Sequence, residues 1–316
     1  LSNSKKAFVR WADQVVKNMV NSHAKRKEIR SFYGDSPSGL GRVDGAPTGA
    51  AGVRTITLLT AEYAAGIWAG SANAKIDVYD DTGATKRNAT TDIQITSVSI
   101  SNKTITVSGL EAELAAIVDT DIIFWKNAKG NEVGSVDKQV TNTGTLFNID
   151  ASVYELWQGN TYDVGGAALS FAAVQEGIAP AVDKGLDGMK FSVYVSTATW
   201  PDLLDDQAAL RQYDKSYSSD QLENGSRSLR YHSQNGEVEI IPSIHVKQGE
   251  AFGICHEECM RLGATDNTFR LPGKTEDEIF LQIPDKAGYE MRYFSEDVFF
   301  CQAPGRMVKW DNIVNG

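Results

Sequence analysis

The stretch GMKFSVYVSTATWPDLLDDQAALRQYDKSYSSDQLENGSRSLRYHSQNGEVEIIPS, residues 188–243, decides the reading of the fold, because strand, helix and hairpin signals follow one another within it. Phe191, Val193 and Val195 alternate with Lys190, Ser192 and Tyr194, the period of a strand with one buried face. Thr199-Trp200-Pro201 then supplies an N-cap and an early proline, which predicts a helix start. Trp200, Leu203, Leu204, Ala208 and Leu210 form an apolar stripe. Asp202, Asp205, Asp206 and Gln207 crowd the early turns, where the helix dipole favours negative charge, and Arg211 and Lys215 sit near the other end. Residues 228–231 and 237–241 flank Gln234-Asn235-Gly236, and Asn-Gly between two such runs predicts a β-hairpin.

Working outward, residues 169–183 read as a helix with Phe171, Val174, Ile178 and Val182 near one face and Pro180 marking a kink or early end. Downstream, strands are expected at 250–254, 278–283, 289–294, 298–302 and 306–314, with a strand end at 269–272. Upstream, residues 4–33 predict one long helix, with Phe8, Trp11, Ala12, Val15, Met19 and Val20 at helical spacing and neither proline nor glycine inside. Its second half carries Lys25, Arg26, Lys27 and Arg30, a cluster that suits a solvated face or, more sharply, phosphates or an acidic neighbouring subunit. Residues 34–52 are punctuated by glycine and proline and read as an irregular loop. Runs at 53–60, 75–79, 92–100, 103–107 and 121–126, rich in Val, Ile and Thr, predict a small β barrel or sandwich inserted into a larger lobe, with a tight turn at Ser101-Asn102. The whole pattern is α+β with mostly antiparallel pairing.

A chain of 316 residues exceeds the size at which one core tends to divide, so two or three lobes are expected. The net charge of -10 disfavours nonspecific binding to DNA or to acidic membranes. Three cysteines are no disulfide framework and suit a reducing compartment. No apolar run reaches the roughly 18 residues of a membrane span, and no secretory signal pattern opens the sequence. Leu1 in place of Met reads as a product with sequence upstream of it.

Candidate chemistry is sparse. Cys255-His256-Glu257-Glu258-Cys259 is the densest group of metal-ligand types, but a structural zinc site needs a second ligand pair, and Cys301, His232 and His245 are scattered; structural thiols are the better reading. Asp77, Asp80, Asp81 and Gly83 miss the spacing of a calcium loop. Gly34-Asp35-Ser36 is similar to the nucleophile segment of one hydrolase family, yet no strand precedes it and no Asp-x-x-His follows, so a turn is expected. Asp205-Asp206 and Glu257-Glu258 are carboxylate pairs of a kind common on surfaces. No nucleotide-binding or kinase motif is present. No catalytic, cofactor-binding or metal-binding residue is assigned, and no cofactor.

Several recurrent stretches stand in a telling order: Ala7-Phe8-Val9-Arg10, Phe32-Tyr33-Gly34-Asp35, Thr197-Ala198-Thr199-Trp200-Pro201-Asp202-Leu203 with Asp206-Gln207-Ala208-Ala209-Leu210-Arg211, the run from Tyr231 through Gln234-Asn235-Gly236 to Ile240, Gly263-Ala264-Thr265-Asp266, and Phe269-Arg270-Leu271-Pro272-Gly273. In these the chain resembles the major capsid proteins of tailed double-stranded DNA bacteriophages, with the HK97-like fold. The resemblance implies a peripheral domain at 1–71 containing a spine helix at 4–33, an inserted β-rich subdomain at 72–148, a connection at 149–164, an axial domain at 165–262 and a C-terminal return at 263–316. It implies no enzyme but a structural subunit of an icosahedral head, self-assembling into pentamers and hexamers that enclose DNA without reading its sequence. Portal, decoration or scaffolding proteins would be its partners and the virion its location, with assembly in the host cytoplasm and no membrane. Two other readings remain open: an encapsulin-like compartment shell, and a β-rich carbohydrate-binding or adhesin module.

Overall fold

The computed structural model describes residues 5–132, 134–211, 229–234, 236–269, 280–286 and 288–316, with the backbone alone at 5–12, 207–211, 231–232, 264–266, 280 and 289. The first element is α1 (Lys5–Tyr33), 29 residues and about 43 Å long at 1.5 Å per residue. It stops where the amide of Gly34 donates to Arg30 O and Asp35 takes a positive φ of 48°. Its last turns are buried through Ile29, Phe32 and Tyr33, while Asp13, Gln14, Val15 and Lys17 are exposed.

Residues 34–52 correct the loop expectation, because they contain β1 (Gly41–Arg42) and β2 (Thr48–Ala50). Next come β3 (Val53–Thr57), α2 (Ala65–Trp68), β4 (Lys75–Tyr79), β5 (Ile93–Ser99), β6 (Thr104–Ser108), α3 (Glu111–Ala115) and β7 (Ile122–Trp125). The seven strands pair antiparallel in the order β1-β7-β4-β5-β6-β3-β2. The sheet closes on itself: Val43 bridges Leu58, Asp44 N donates to Thr57 O and Leu59 N to Arg42 O, each bond 2.9 Å. Closure removes exposed strand edges, and alternate residues Ile56, Ile76, Val78, Ile93, Ile95, Ile105 and Val107 fill the interior. The small barrel expected from sequence is therefore present, but its strands begin at residue 41 and straddle the expected boundary at 72. The short polar run that looked like a loop supplies the closing strand.

The chain continues through α4 (Val136–Val140), β8 (Thr145–Leu146), β9 (Ile149–Asp150), β10 (Asn160–Asp163), α5 (Phe171–Asp183), β11 (Phe191–Ser196), α6 (Thr199–Arg211), β12 (Leu229–Ser233), β13 (Gly236–Ser243) and β14 (Ala251–Cys255). It ends with β15 (Cys259–Thr268), β16 (Phe280–Gln282), β17 (Tyr289–Met291), β18 (Phe294–Cys301) and β19 (Val308–Asp311). A six-stranded sheet runs β10-β19-β14-β11-β13-β12, so it too draws strands from segments that sequence divisions at 165 and 263 would separate. Two of its pairings, β10 with β19 and β11 with β13, are parallel. The predicted hairpin is there as β12 antiparallel to β13; Asn235, like residues 212–228 and 270–279, lies outside the described residues.

This sheet is covered on both faces, which corrects the expectation of one buried face for β11: Ser192 and Ser196 are as buried as Phe191, Val193 and Val195. On one side, Phe252 and Tyr194 meet Phe32 at the end of α1 with ring centroids 5.9 and 5.7 Å apart. On the other, Val174, Ile178 and Ala181 of α5 pack with Phe191 and Trp310. α5 runs three residues past Pro180 before it ends. Leu203 of α6 is fully buried but Leu204 is 41% exposed, so the predicted stripe is narrower than its apolar residues suggested. Thr199 does not face solvent as a simple cap; its hydroxyl reaches Asn315 Oδ1 at 2.8 Å. Asp206 Oδ2 instead accepts the amide of Phe171 at 2.8 Å, tying α6 to the start of α5.

β15 and β18 form a separate antiparallel ribbon with two register shifts, and β16 pairs with β17. β15 escaped the sequence reading because its second half, Gly263 to Thr268, is polar and carries no alternation. Among the described residues no helix is long and apolar enough to cross a membrane.

The packing of α5 on β19 depends on Gly177. A Cβ there would lie 2.2 Å from Trp310 Nε1, and Trp310 is fully buried with its indole donating to Ala173 O at 3.0 Å. Gly177→Ala is expected to lose on the order of 1–2 kcal/mol, overpacking outweighing the better helix propensity. A lowered urea midpoint checks this, and an unchanged one contradicts the close fit. The barrel also carries an acid-sensitive element. Bonds from Lys126 and then Lys75 hold Asp92 down to about 2, and the Thr85 amide, with Thr82, holds Asp80 down to about 2. Depressed carboxylates contribute stability that is present above their ordinary values near 3.8 and is lost as pH falls toward 2. Asp92→Asn is expected to flatten the stability profile between about pH 4 and 2 while leaving its slope above pH 5 unchanged.

Candidate functional site

The most concentrated chemistry lies where α1, the barrel and the six-stranded sheet meet. β14 and β19 are antiparallel neighbours with Phe252 opposite Lys309, so alternation puts Lys309, Phe252 and Glu250 toward one face. Lys309 Nζ donates to Glu250 Oε1 at 2.8 Å and to Asp137 Oδ1, in the first turn of α4, at 2.6 Å. Asp137 is 1% exposed, and Glu250 and Lys309 are 7% exposed. Ser36 Oγ donates to the other carboxylate oxygen, Asp137 Oδ2. Lys247, fully buried, donates to Ser38 Oγ at 2.8 Å, lies 3.6 Å from Glu62 and stands 4.5 Å over the Tyr33 ring. Arg42 completes the group at 3.1 Å from Glu62. Three carboxylates thus face three cations, the condition under which buried charge is tolerated.

The electrostatics follow from burial and pairing. Burial pushes Lys309 down, but Glu250 and Asp137 beside it prevail and hold its ammonium well above the ordinary lysine range. For Asp137 burial pushes up, and Lys309 and the Ser36 hydroxyl bring it below the usual carboxylate value. Glu62 is raised, burial outweighing Lys247. Tyr33 is raised by burial and by Glu250.

The residues singled out in the sequence separate in space. Ser36 is buried against Asp137 and Ser38, and among the described residues no imidazole bonds to it. Asp35 pairs with Lys138 and accepts the amide of Gly130. Asp77 pairs with Lys86, whereas Asp80 closes its own turn through Thr82, Ala84 and Thr85. Cys255 and Cys301 are buried, Cys259 faces Cys301 across the ribbon, and all three thiols are free. His256 bonds Ser192 Oγ at 2.9 Å and Glu258 pairs with Arg306, so the turn between Cys255 and Cys259 spends its polar groups on neighbours. His245 lies away from them, 3.0 Å from Glu28. Among the described residues no three His, Cys, Asp or Glu side chains gather as metal ligands would.

The basic cluster of α1 also finds internal partners. Lys27 pairs with Asp297 of β18 at 2.8 Å and Arg30 with the same carboxylate at 3.5 Å. Arg26 lies over the Trp125 ring and 3.6 Å from Glu132, and Lys25 donates to Ala69 O. The solvated face expected from sequence is in part a seam that binds the helix to the ribbon and barrel. Sequence reasoning missed Asp137, Lys247, Glu250 and Lys309, which lie far apart in the chain; a lysine within the apolar run Met307-Val308-Lys309-Trp310 was the available signal.

On the surface, Val153, Tyr154 and Leu156 are 69, 62 and 58% exposed. With Glu155, Pro180, Asp183 and Lys184 they border an open depression of about 510 Å³.

No protein-family model matches the sequence, and no curated protein matches it. Among solved structures, a chain of the capsid asymmetric unit of cyanophage A-1(L) is similar over 59% of this chain and 62% of that one, at 12% identity and a TM-score of 0.42. The likeness thus spans less than two thirds of that capsid chain and by itself establishes neither family nor function.

Lys247→Met leaves Glu62 with Arg42 alone in a buried setting and is expected to destabilise by roughly 3 kcal/mol in chemical unfolding. Adding Glu62→Gln is expected to recover part of that loss; strict additivity of the two changes would dissolve the coupling.

Proposed function

We propose that this chain is the structural subunit of an icosahedral phage head, assembling into pentamers and hexamers that enclose double-stranded DNA. The reading rests on the ordered resemblance in sequence. The structural observation that favours it is the group Val153, Tyr154 and Leu156, three large apolar side chains each more than half exposed. Apolar groups gathered on a surface mark contact sites, and a shell subunit has neighbours to cover them. In this reading α1 is the spine helix, and residues 165–262 make the axial domain around fivefold and sixfold axes. Residues 1–40 and 263–316 then belong mainly to the peripheral domain, with the barrel, which takes its first strands from 41–57 and the rest from 72–148, as the added lobe, 149–164 as a connection, and portal, decoration or scaffolding proteins as partners. A net charge of -10 suits a container wall that must not grip its DNA through many phosphates.

Electron microscopy of the native assembly tests the proposal. Closed icosahedral particles containing DNA, with residues 188–243 near the ring axes, are expected. Particles filled with protein cargo favour the compartment reading instead, and a native monomer or small oligomer overturns both.

A further inference from the structure

The group around Lys309 has the ingredients of a bond-forming site as well as those of an ion pair. An amide between a lysine and a carboxylic acid needs the amine held against the carboxyl group, a third group to carry protons, and exclusion of water. Lys309 Nζ is 2.6 Å from Asp137 Oδ1 and 2.8 Å from Glu250 Oε1, and all three residues are buried. The Phe252 ring, 5.6 Å from Nζ, walls one side. Ser36 holds the oxygen of Asp137 that Lys309 does not touch. Lys309 stands on β19, Glu250 immediately precedes β14, the strand paired with β19, and Asp137 lies in the first turn of α4, so the contact draws on three elements.

We propose that Lys309 and Asp137 become joined by an intramolecular amide bond, with Glu250 as the proton carrier. Glu250 takes a proton from the Lys309 ammonium, and the freed amine attacks Asp137 Cγ. In the tetrahedral intermediate Ser36 donates to Oδ2, which remains as the amide oxygen. Oδ1 leaves with two protons from the former ammonium, one of them delivered by Glu250. An ammonium and a carboxylate thereby become one amide and one water, with no oxidant, reductant or cofactor. The carboxylates that hold Lys309 protonated slow the attack, which is why the proton carrier must touch the same nitrogen. The product removes one positive and one negative charge from a buried site, which favours it once formed. It ties α4, which packs on α1, to β19 of the six-stranded sheet. The inference stands apart from the proposed shell role, since it concerns a single chain.

Mass spectrometry of the denatured full chain is the test. The expected mass is lower than that of the sequence by one water, about 18 Da, and a tryptic digest is expected to yield a branched peptide joining Asp137 to Lys309. A mass equal to that of the sequence overturns the proposal, as does a water loss without the branched peptide. Glu250→Gln that folds, by circular dichroism, is expected to keep the full mass; complete bond formation in that variant removes Glu250 from the mechanism. Should the variant not fold, the wild-type mass and peptide decide alone.

Discussion

Lys309 is the point on which the architecture turns. It stands on the strand that β10 and β14 share, it reaches Glu250 just before β14, and it reaches across to Asp137 in α4, which packs on α1. A buried ammonium requires anionic partners close by, so α4 must approach the sheet at that place and β14 and β19 must pair in one register. Tyr33, Ser36, Ser38, Lys247 and Glu62 then fill the remaining polar positions around it. The apolar packing of Phe32, Tyr33 and Phe252 surrounds this junction and keeps water from it.

The two lobes are built by different means. The barrel is drawn from one continuous run of chain, residues 41–125, with β2–β3 and β5–β6 as local hairpins and with β1–β7, β3–β6 and β4–β7 pairing across dozens of residues, and its interior is filled by alternate isoleucines and valines. The six-stranded sheet is nonlocal, since its centre is β11 and β14 while one edge comes from β10 and its inner neighbour β19 from the chain end. Covering both faces with helices and with the barrel makes the strands continuous in burial, so small hydroxyl residues such as Ser192 and Ser196 sit inside. Ser192 answers to His256 and Ser196 to Thr199, which is how those hydroxyls are accommodated.

Sequence alone was informative wherever a signal was periodic and local. The long helix, the β4 to β7 strands, α5, β11 and the β12–β13 hairpin were legible because their apolar residues recur at the spacing of the element. Reading failed where partners were distant. β1 and β2 looked like loop because two or three residues of strand leave no alternation to detect. β15 has a polar half that a partner strand, not its own pattern, holds extended. Lys25 to Arg30 looked solvated because Asp297 and Glu132, which pair with them, lie over a hundred positions away.

The amino-acid order by itself determined that this chain is α+β, that it opens with a long helix and that a small β lobe follows, because the apolar period of each helix and strand is local even where the pairing of the strands is not. It also set the net negative charge and the placement of the stretch 188–243 as strand, helix and hairpin. Tertiary structure alone decided that residues 41–50 close the barrel and that β11 is buried on both faces. It alone brought Asp137, Glu250 and Lys309 within hydrogen-bonding reach. The reason is physical: a charge far along the chain becomes a partner only when desolvation and strand register bring it there, and neither quantity is written in a local pattern.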